Sequence, residues 1–551
     1  MRRSAFLKLC ITIFCLFTGL VQLNITDVQG TNVSGDIESD TTWTLQNSPY
    51  IVVGNVRVES GVTLTIEPGV QVRFDGYYGI SVYGVLRAMG NEDNRINITS
   101  NSESPAPEDW RNIRILSGGL IEMSFADISY GHYVAQILNS GRGIITHNNI
   151  FRNTYTVNIR SNSVVSNNHF SYNEYGIYST GTNNTINDNE FFLQSMDGVR
   201  LDISSDNTVV GNSIFSAHMW GISLRKSFNN TIANNFVFST MREGIRLTGS
   251  SYNTITNNTV SKCGDGISLH SSNDTVIFSN LLSNNGHGIA LESSSNVTIA
   301  NNTVFSNRFR GISLTSQAPS TETIVYHNNI IDNDYQGYNF GASNFWNDSY
   351  PSGGNYWSDY SGVDLNGTPS QDVPPPDGLG DTPYEFSLNS KDIYPLMEPW
   401  PFAPQLDDTK PSPPENLIAT IDVERSQITL RWEKNDELDV ELYSIYRGES
   451  EEGRFLDLWW SSRQECSDTH CSYVDTWVEE GETYWYYVVA VNLLGNDSPG
   501  SNKVNVTMPE HEPDTDSSTG PWFVISLVVV AVTIAVIVSV AILVRKKKRS
   551  L

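Results

Sequence analysis

The sequence predicts an all-β protein. Its main domain is a right-handed parallel β-helix with coils of about 22 residues, followed by a β-sandwich domain and a C-terminal transmembrane helix. Three observations carry this prediction: a short phrase that recurs through the middle of the chain, later runs of alternating apolar and polar residues, and a final uncharged apolar segment. The 551 residues, of which 39% are hydrophobic and 17% charged, are too many for one core and too apolar for a disordered chain.

The recurring phrase is Gly-(Ile/Val)-x-Leu, with successive members 22 or 23 residues apart. It begins at Gly198, Gly221, Gly244, Gly266, Gly288 and Gly311, and Gly176-Ile177 opens the series with Ser179 in place of the leucine. A leucine-rich repeat has several leucines per unit and usually a helical return, whereas each unit here has one leucine and no helix-favouring run. We therefore predict short strands separated by Gly and Asn turns, stacked as coils about 4.8 Å apart.

One asparagine per unit keeps the same period. The members of this asparagine column are Asn189, Asn212, Asn235, Asn258, Asn280 and Asn302. We expect the column to occupy tight turns, because Asn tolerates the left-handed conformation and its amide can bond the Asn of the neighbouring coil. Ile177 and its counterparts, two residues before the leucine column, should point inward together with the leucines.

The two ends of the chain indicate export and membrane anchoring. Residues 5–23 form an apolar stretch behind a cationic start, which is typical of a secretory signal, with a retained N-terminal anchor as the alternative. Residues 522–544 contain no charged side chain, and as a helix this segment is long enough to cross about 30 Å of hydrocarbon. The cations 545–549 follow at once. We predict a single-pass protein of the cell membrane, with most of the chain extracellular and the C-terminus cytoplasmic.

The net charge of −27 is distributed in agreement with this topology. Residues 30–520 carry 26 cations and 60 anions, a net charge of −34. Such a segment excludes a nucleic-acid partner, since phosphate contacts need clustered Lys and Arg. The expected partners are the membrane and a glycan or surface-protein ligand.

The predicted domain boundaries follow from these features. They are 1–29 for a signal peptide or N-terminal anchor, 30–343 for the β-helix with its N-terminal cap, 344–405 for an Asp/Gly-rich C-terminal cap, 409–508 for the β-sandwich, 509–520 for an acidic stalk, 521–544 for the transmembrane helix and 545–551 for a basic cytoplasmic tail.

Export also favours covalent modification. We expect a disulfide between Cys466 and Cys471; zinc binding by this pair with His470 is the alternative, although no second ligand pair lies nearby. The predicted glycosylation sites are the sequons at Asn97, Asn183, Asn229, Asn257, Asn273, Asn296, Asn301, Asn347, Asn366, Asn496 and Asn505.

The coil phrases resemble those of the NosD-like family of right-handed parallel β-helix proteins. The segment Gly354-Asn355-Tyr356-Trp357-Ser358-Asp359-Tyr360 carries the most specific part of the resemblance, which covers roughly residues 50–400 and includes 377–384 and 394–397. The resemblance implies a surface protein of the kind common in archaea. It also implies a relation to copper for NosD itself, and carbohydrate binding or hydrolysis for the broader family.

A second resemblance concerns the β-sandwich. The segment 411–417, Trp432, and the alternating runs 443–447 and 484–492 resemble the start and the second, third and sixth strands of a fibronectin type III domain. The Cys466–Cys471 loop is an addition that the usual pattern lacks.

Hard-oxygen residues in the C-terminal cap suggest calcium as the cofactor. The candidate ligands are Asp359, Asp364, Asn366, Asp372, Asp377 and Asp381. Calcium takes six to eight oxygen ligands, whereas the alternative is that these side chains cap their own turns. Copper is a third possibility, but the 9 His and 8 Met are scattered, and His270 and His287 lie at different phases of adjacent coils.

The outer surface of the coils contains the candidate ligand-binding and catalytic residues. Glu243 and Asp265 precede the glycine of adjacent coils, and Asp197 lies two coils before Glu243 with Trp220 between them. Arg200 and Arg246 project outward two residues after the glycine.

Carboxyl groups about 5–9.5 Å apart suit glycoside hydrolysis, and a Trp can stack on a sugar ring. Charged residues are nonetheless ordinary on a solvated sheet, and no column is uniformly acidic. We therefore expect a non-enzymatic surface protein that serves adhesion, ligand binding or an envelope-structural role, with Trp220, Arg200 and Arg246 as the ligand-binding residues. A polysaccharide hydrolase or lyase that uses Glu243, Asp265 and Asp197 is the alternative.

Overall fold

The computed structural model of the chain describes residues 30–509, apart from 315–319, 341–342, 365–376, 388–389, 402–408, 424–425, 438, 454, 463–465, 477 and 493. Within them, a right-handed parallel β-helix of about 14 turns forms one compact unit. The described residues contain no helix long and apolar enough to span a membrane. The predicted signal, stalk, transmembrane segment and tail lie outside the described range.

Three parallel β-faces run along the β-helix, because each coil contributes one short strand to each face. Face 1 contains 13 strands in the described chain: Thr41–Trp43, Thr63–Ile66, Val85–Met89, Leu120–Ser124, Arg142–Thr146, Val164–Ser166, Thr185–Asn187, Thr208–Val210, Thr231–Ala233, Thr254–Thr256, Val276–Phe278, Thr298–Ala300 and Ile324–Tyr326.

Face 2 follows face 1 in each coil. Its strands are Gln71–Phe74, Ile96–Ser100, Ala126–Ser129, Asn149–Phe151, His169–Ser171, Glu190–Phe192, Ser213–Phe215, Phe236–Phe238, Thr259–Ser261, Leu281–Ser283, Thr303–Phe305, Asn329–Ile331 and Tyr356–Trp357.

Face 3 completes the coil and contains the repeat phrase. Its strands are Gly79–Val82, Trp110–Ile115, Gly131–Ile137, Tyr155–Ser161, Tyr175–Thr182, Val199–Asp202, Ile222–Arg225, Ile245–Thr248, Ile267–His270, His287–Glu292, Arg310–Leu314 and Tyr335–Asn339. At the N-terminal end, the paired strands Thr31–Ile37 and Tyr50–Val58 extend across faces 2 and 3, and the 3₁₀ turn Leu45–Asn47 lies between them.

The inward column of face 3 packs coil on coil, as the repeat phrase predicts. Ile177 pairs in register with Val199 and then with Ile222, and all three are fully buried. Leu201 and Leu224 follow the same register in the leucine column and are also buried. The β-branched and leucine side chains thus build one continuous core along the solenoid.

The asparagine column forms a hydrogen-bond ladder between faces 1 and 2. The side-chain Nδ2 of Asn189 donates to Oδ1 of Asn212 at 3.0 Å, and the same bond recurs from coil to coil as far as Asn355. The expected left-handed conformation lies one residue earlier, for example at Asp188 with φ 53°. The sequence-based assignment of that conformation to the column itself is therefore wrong. The column side chain turns inward, and the preceding residue takes the positive φ.

The C-terminal end of the β-helix is covered by a hairpin of Tyr384–Ser387 and Ser390–Asp392. Asp392 ends the asparagine ladder, because its Oδ2 accepts hydrogen bonds from the backbone N of Asn355 at 2.7 Å and from Nε1 of Trp357 at 3.0 Å. Burial raises the pKa of Asp392 to about 6, although these hydrogen bonds favour the ionised form.

A second compact unit contains two antiparallel sheets. One consists of Ile418–Asp422, Gln427–Glu433 and His470–Asp475, and the other of Leu456–Ser462, Val440–Gly448, Thr483–Asn492 and Val504–Thr507. Trp432 from the first sheet and Tyr443 and Tyr486 from the second share one buried core. Cys466 and Cys471 form a disulfide beside this core.

Candidate functional site

The outer surface of face 3 presents two columns of side chains. The first, here the outer column, consists of the residues that occupy the position before the repeat glycine: Tyr133, Tyr155, Tyr175, Asp197, Trp220, Glu243, Asp265, His287, Arg310 and Tyr335. The second lies two residues after the glycine position and includes Arg200, Ser223, Arg246, Ser268, Ala290 and Ser313.

Three stacked tyrosines occupy the N-terminal part of the outer column. The ring centroids of Tyr133 and Tyr155 are 4.8 Å apart with an interplanar angle of 14°, and those of Tyr155 and Tyr175 are 4.9 Å apart at 5°. All three are half-buried, and burial is the largest cause that raises the pKa of each phenol. The stack presents a row of ring edges and hydroxyl groups that stay neutral at physiological pH.

Trp220 is held in place by its neighbours in the next coil. Its Nε1 donates a hydrogen bond of 2.5 Å to Oε2 of Glu243, and the guanidinium of Arg246 lies 5.4 Å from its ring centroid. Arg246 also forms an ion pair with Glu243. The predicted ligand-binding residues Trp220 and Arg246 thus lie together with the catalytic candidate Glu243, whose carboxylate is engaged on both oxygens.

Asp265 is engaged by a histidine instead of a second carboxyl group. Nδ1 of His287 lies 2.8 Å from Oδ1 of Asp265, and the backbone N of His287 donates to the same oxygen at 2.9 Å. Burial alone would raise the pKa of Asp265, but the hydrogen bonds and the charge of His287 lower it overall. The carboxyl group of Asp265 is therefore ionised at neutral pH.

Asp197 is buried, which contradicts the expectation of an exposed carboxylate. The larger Tyr175 and Trp220 occupy the positions on either side of it in the outer column. Its Oδ2 accepts a hydrogen bond of 2.7 Å from Oγ of Ser223 and lies 3.7 Å from Arg200, whereas its Oδ1 is buried without a hydrogen bond. Burial raises the pKa of Asp197 to about 6.

An acid–base cluster beside Asp197 was not predicted from the sequence. Arg225 binds both carboxylate oxygens of Asp202 at 2.9 and 2.5 Å, and the hydroxyl of Tyr178 donates to Oδ2 at 3.1 Å. Burial opposes ionisation of Asp202, but Arg225 and Tyr178 outweigh it and lower the pKa. Asp202 and Arg225 each directly follow the repeat phrase of their coil, whereas Tyr178 is the third residue of the phrase that begins at Gly176. Only the alternation along each strand could have signalled that these side chains face outward.

The predicted calcium ligands lie in loops of the C-terminal cap. The hydroxyl of Tyr384 donates its one hydrogen bond to the carboxylate of Asp359 and lies 2.8 and 2.9 Å from the two oxygens. Oδ2 of Asp364 accepts a hydrogen bond of 2.9 Å from the backbone N of Gly378. Asn366 and Asp372 lie outside the described residues. Among the residues that are described, no group of three or more His, Cys, Asp or Glu side chains is arranged to hold a metal ion.

The remaining members of the predicted set also form turn contacts. Oδ1 of Asp377 accepts a hydrogen bond of 3.0 Å from the backbone N of Leu379, as an Asx turn does. Asp381 lies in the same loop. The sequon asparagines that the structure describes are all exposed or half-buried.

The sequence model of a family described as "Periplasmic copper-binding protein (NosD)" matches residues 77–237 and 194–362, which together make up more than half of the chain. The chain belongs to the NosD family. The match includes most of face 3 and the outer column.

Two curated proteins are similar to parts of this NosD-family chain. Amylopullulanase of Thermoanaerobacter thermohydrosulfuricus is 30% identical over 153 residues, 25% of this chain and 9% of the relative. Protein bark beetle of Drosophila melanogaster is 35% identical over 99 residues, 17% of this chain and 3% of the relative. The chain thus spans less than a tenth of either relative.

A solved structure is similar to a larger part of the chain. A double mutant of the periplasmic alginate epimerase AlgG is 16% identical, with 52% of this chain and 83% of that chain covered and a TM-score of 0.38.

The described residues contain no group of three or more His, Cys, Asp or Glu side chains arranged to hold the copper named in the family description, although His218, Met241 and Cys263 line one cavity. Copper sites combine His, Met and Cys. His287 is bound to Asp265, and His270 lies 3.1 Å from Glu292. Cys263 is buried, and its burial raises the pKa of its thiol to about 11, which disfavours the thiolate that binds metals.

Proposed function

We propose that this NosD-family protein is anchored in the cell membrane and binds an extended carbohydrate chain along the outer surface of face 3. The outer column is the observation that carries the proposal, since it aligns the tyrosine stack and Trp220 on one straight line. Aromatic rings pack against sugar rings, and their polar edges bond hydroxyl groups. We assign residues 409–508 to a fibronectin type III-like domain that precedes the proposed membrane anchor in the chain.

A glycan array probed with the full-length chain tests this function. We expect retention of a limited set of glycans, and we expect Trp220→Ala and Tyr155→Ala to reduce it. An array that stays blank, or signals that both variants leave unchanged, would contradict the proposal.

We also propose calcium as a structural ion of the C-terminal cap. Oδ1 of Asp364 and Oδ2 of Asp377 are buried without hydrogen bonds, and a cation is a suitable partner for such oxygens. A thermal transition that EDTA lowers and added Ca²⁺ restores is the expected result. A thermal transition that EDTA leaves unchanged would contradict calcium binding by the cap.

A polysaccharide-active enzyme is the second candidate function, and Asp197 is the observation that favours it. A carboxyl group with a pKa of about 6 is suited to general acid or base chemistry near neutral pH. The adjacent Asp202, Arg225 and Tyr178 form the kind of polar cluster in which pKa values diverge. Release of products from a bound polysaccharide would establish the enzyme function if the Asp197→Asn variant no longer releases them. If no retained glycan yields products, the enzyme hypothesis is wrong and binding without catalysis is the function.

A further inference from the structure

An arginine-lined cavity of about 300 Å³ lies on face 3 at its N-terminal end. Its charged lining consists of Arg57, Arg111, Arg114 and Asp36. The lining therefore places three arginines against one acid, in a chain with a net charge of −27.

The arginines of this cavity are poorly neutralised compared with those further along face 3. Arg57 forms an ion pair of 2.7 Å with Glu59. Arg111 and Arg114 form no ion pair or side-chain hydrogen bond among the described residues, and Nε of Arg114 is buried without a partner. A buried donor without a partner destabilises the folded protein, so an acceptor inside the cavity would have a stabilising effect.

Strand register gives the cavity its shape. Arg57 pairs with Ser81, and Ser81 pairs with Arg114, so the two arginines lie two coils apart, about 10 Å, with a small side chain between them. Gly79 lines the same space, and a Cβ there would lie only 2.6 Å from the backbone oxygen of Asn112. The glycine and the serine keep the space between the guanidinium groups open.

The cavity is continuous with the outer column. Asn112, which also lines the cavity, pairs in register with Tyr133, the first of the stacked tyrosines. A sugar chain that lies on the tyrosine stack would therefore place its next unit over the cavity within about 5 Å, one coil spacing.

We propose that this cavity binds the oxyanion group, carboxylate or sulfate, of an acidic polysaccharide that lies along face 3. Guanidinium groups bind planar oxyanions through paired hydrogen bonds, and the uncompensated charge of Arg111 and Arg114 selects an anion over a neutral hydroxyl. This proposal rests on the proposed function, which places the rest of the polysaccharide along the outer column.

Calorimetric titration of the full-length chain tests the cavity. The probes are a galacturonate oligomer, a sulfated dextran fragment and a neutral glucan oligomer of similar length. We expect at least one acidic probe to bind about tenfold or more tightly than the neutral one, and we expect salt to weaken that binding. Arg114→Gln and Arg111→Gln should each remove most of the preference, Arg114→Lys should retain part of it, and the acidic probe that binds identifies the oxyanion.

The controls separate this proposal from the proposed function. Arg142→Gln removes an exposed arginine from face 1 and should change nothing. If all three probes bind equally and the cavity variants bind like the wild type, the cavity proposal is wrong. A loss of binding in Tyr155→Ala would in that case still support the proposed function. If no probe binds at all, both proposals fail. Circular dichroism of each variant confirms that the β-helix is intact.

Discussion

Nε1 of Trp220 donates a hydrogen bond of 2.5 Å to Oε2 of Glu243, the residue in the same position of the next coil. Glu243 is also the ion-pair partner of Arg246, whose guanidinium lies above the Trp220 ring. One carboxylate therefore orients both Trp220 and Arg246 at this end of the proposed binding surface.

Glu243→Ala should weaken carbohydrate binding about tenfold, because the indole and the guanidinium lose the group that fixes their orientation. Glu243→Gln should retain much of the affinity, since the amide oxygen still accepts the indole N–H. Glu122→Ala provides the matched control, because it removes the acid of the Arg87–Glu122 pair on face 1. Equal losses in the Glu243 and Glu122 variants, measured by calorimetric titration, would contradict this role.

Asn235→Ala should destabilise the β-helix by about 2–5 kcal/mol. The Asn235 side chain accepts hydrogen bonds from the backbone and side chain of Asn212, and it donates to Val209 O and to Asn258 Oδ1. Its removal leaves several buried polar groups without partners. The control is Asn187→Ala, whose side chain makes only an exposed bond to Asp188. Urea unfolding should separate the two variants, and similar transitions would show that the ladder adds little.

Much of the fold follows from the sequence because the coils from Gly176 onward have nearly equal length. That regularity predicts the inward Ile and Leu columns and the hydrogen bonds between asparagines. The burial of Asp197 could not be predicted, because it depends on the size of the neighbours above and below and not on the periodicity.

In the coils before Gly176, the columns cannot be recognised from the sequence spacing, because the lengths of these coils vary. Tyr155 and Tyr175 are 20 residues apart, and Ser81 and Arg114 are 33 residues apart, yet each pair is in register. Insertions in the turns change the spacing without changing the strand pairing. For this reason the tyrosine stack and the arginine cavity became recognisable only in three dimensions.

The β-helix should be more stable at pH 5 than at pH 7. Asp392 and Asp197 each have a folded pKa of about 6 against an ordinary value of 3.8, so the native state binds more protons than the unfolded state between these values. Stability then falls as the pH rises from about 4 to about 6, by about 1 kcal/mol for each group between pH 5 and pH 7.

Urea unfolding at the two pH values measures this difference. Asp392→Asn with Asp197→Asn should remove most of it, whatever the absolute stability of the variant. The lowered pKa values of Asp202 and Asp265 act in the opposite direction, but their contribution is lost only below about pH 4, outside this window. A stability that is constant or rises from pH 5 to pH 7 would contradict the assignment.

Replacement of Cys466 and Cys471 by serine should lower the unfolding free energy of the second unit by about 2 kcal/mol, because the disulfide closes a loop of only a few residues. The unfolding of the β-helix should not change, since the bond lies in the other compact unit. Differential scanning calorimetry of the full chain would record the two transitions. A shift of the β-helix transition would be inconsistent with a local role of the disulfide. An unchanged transition of the second unit would be inconsistent with it as well.

The affinity of the full-length chain for oligosaccharides, titrated against increasing length, tests the central claim most directly. Binding along the outer column predicts that the affinity rises as the probe spans more coils. It also predicts that Tyr155→Ala with Trp220→Ala lowers the affinity at least about tenfold, whereas Tyr252→Ala, at a tyrosine that is 62% exposed outside the column, has no effect. An affinity independent of probe length and equal in all three proteins would contradict carbohydrate binding on face 3.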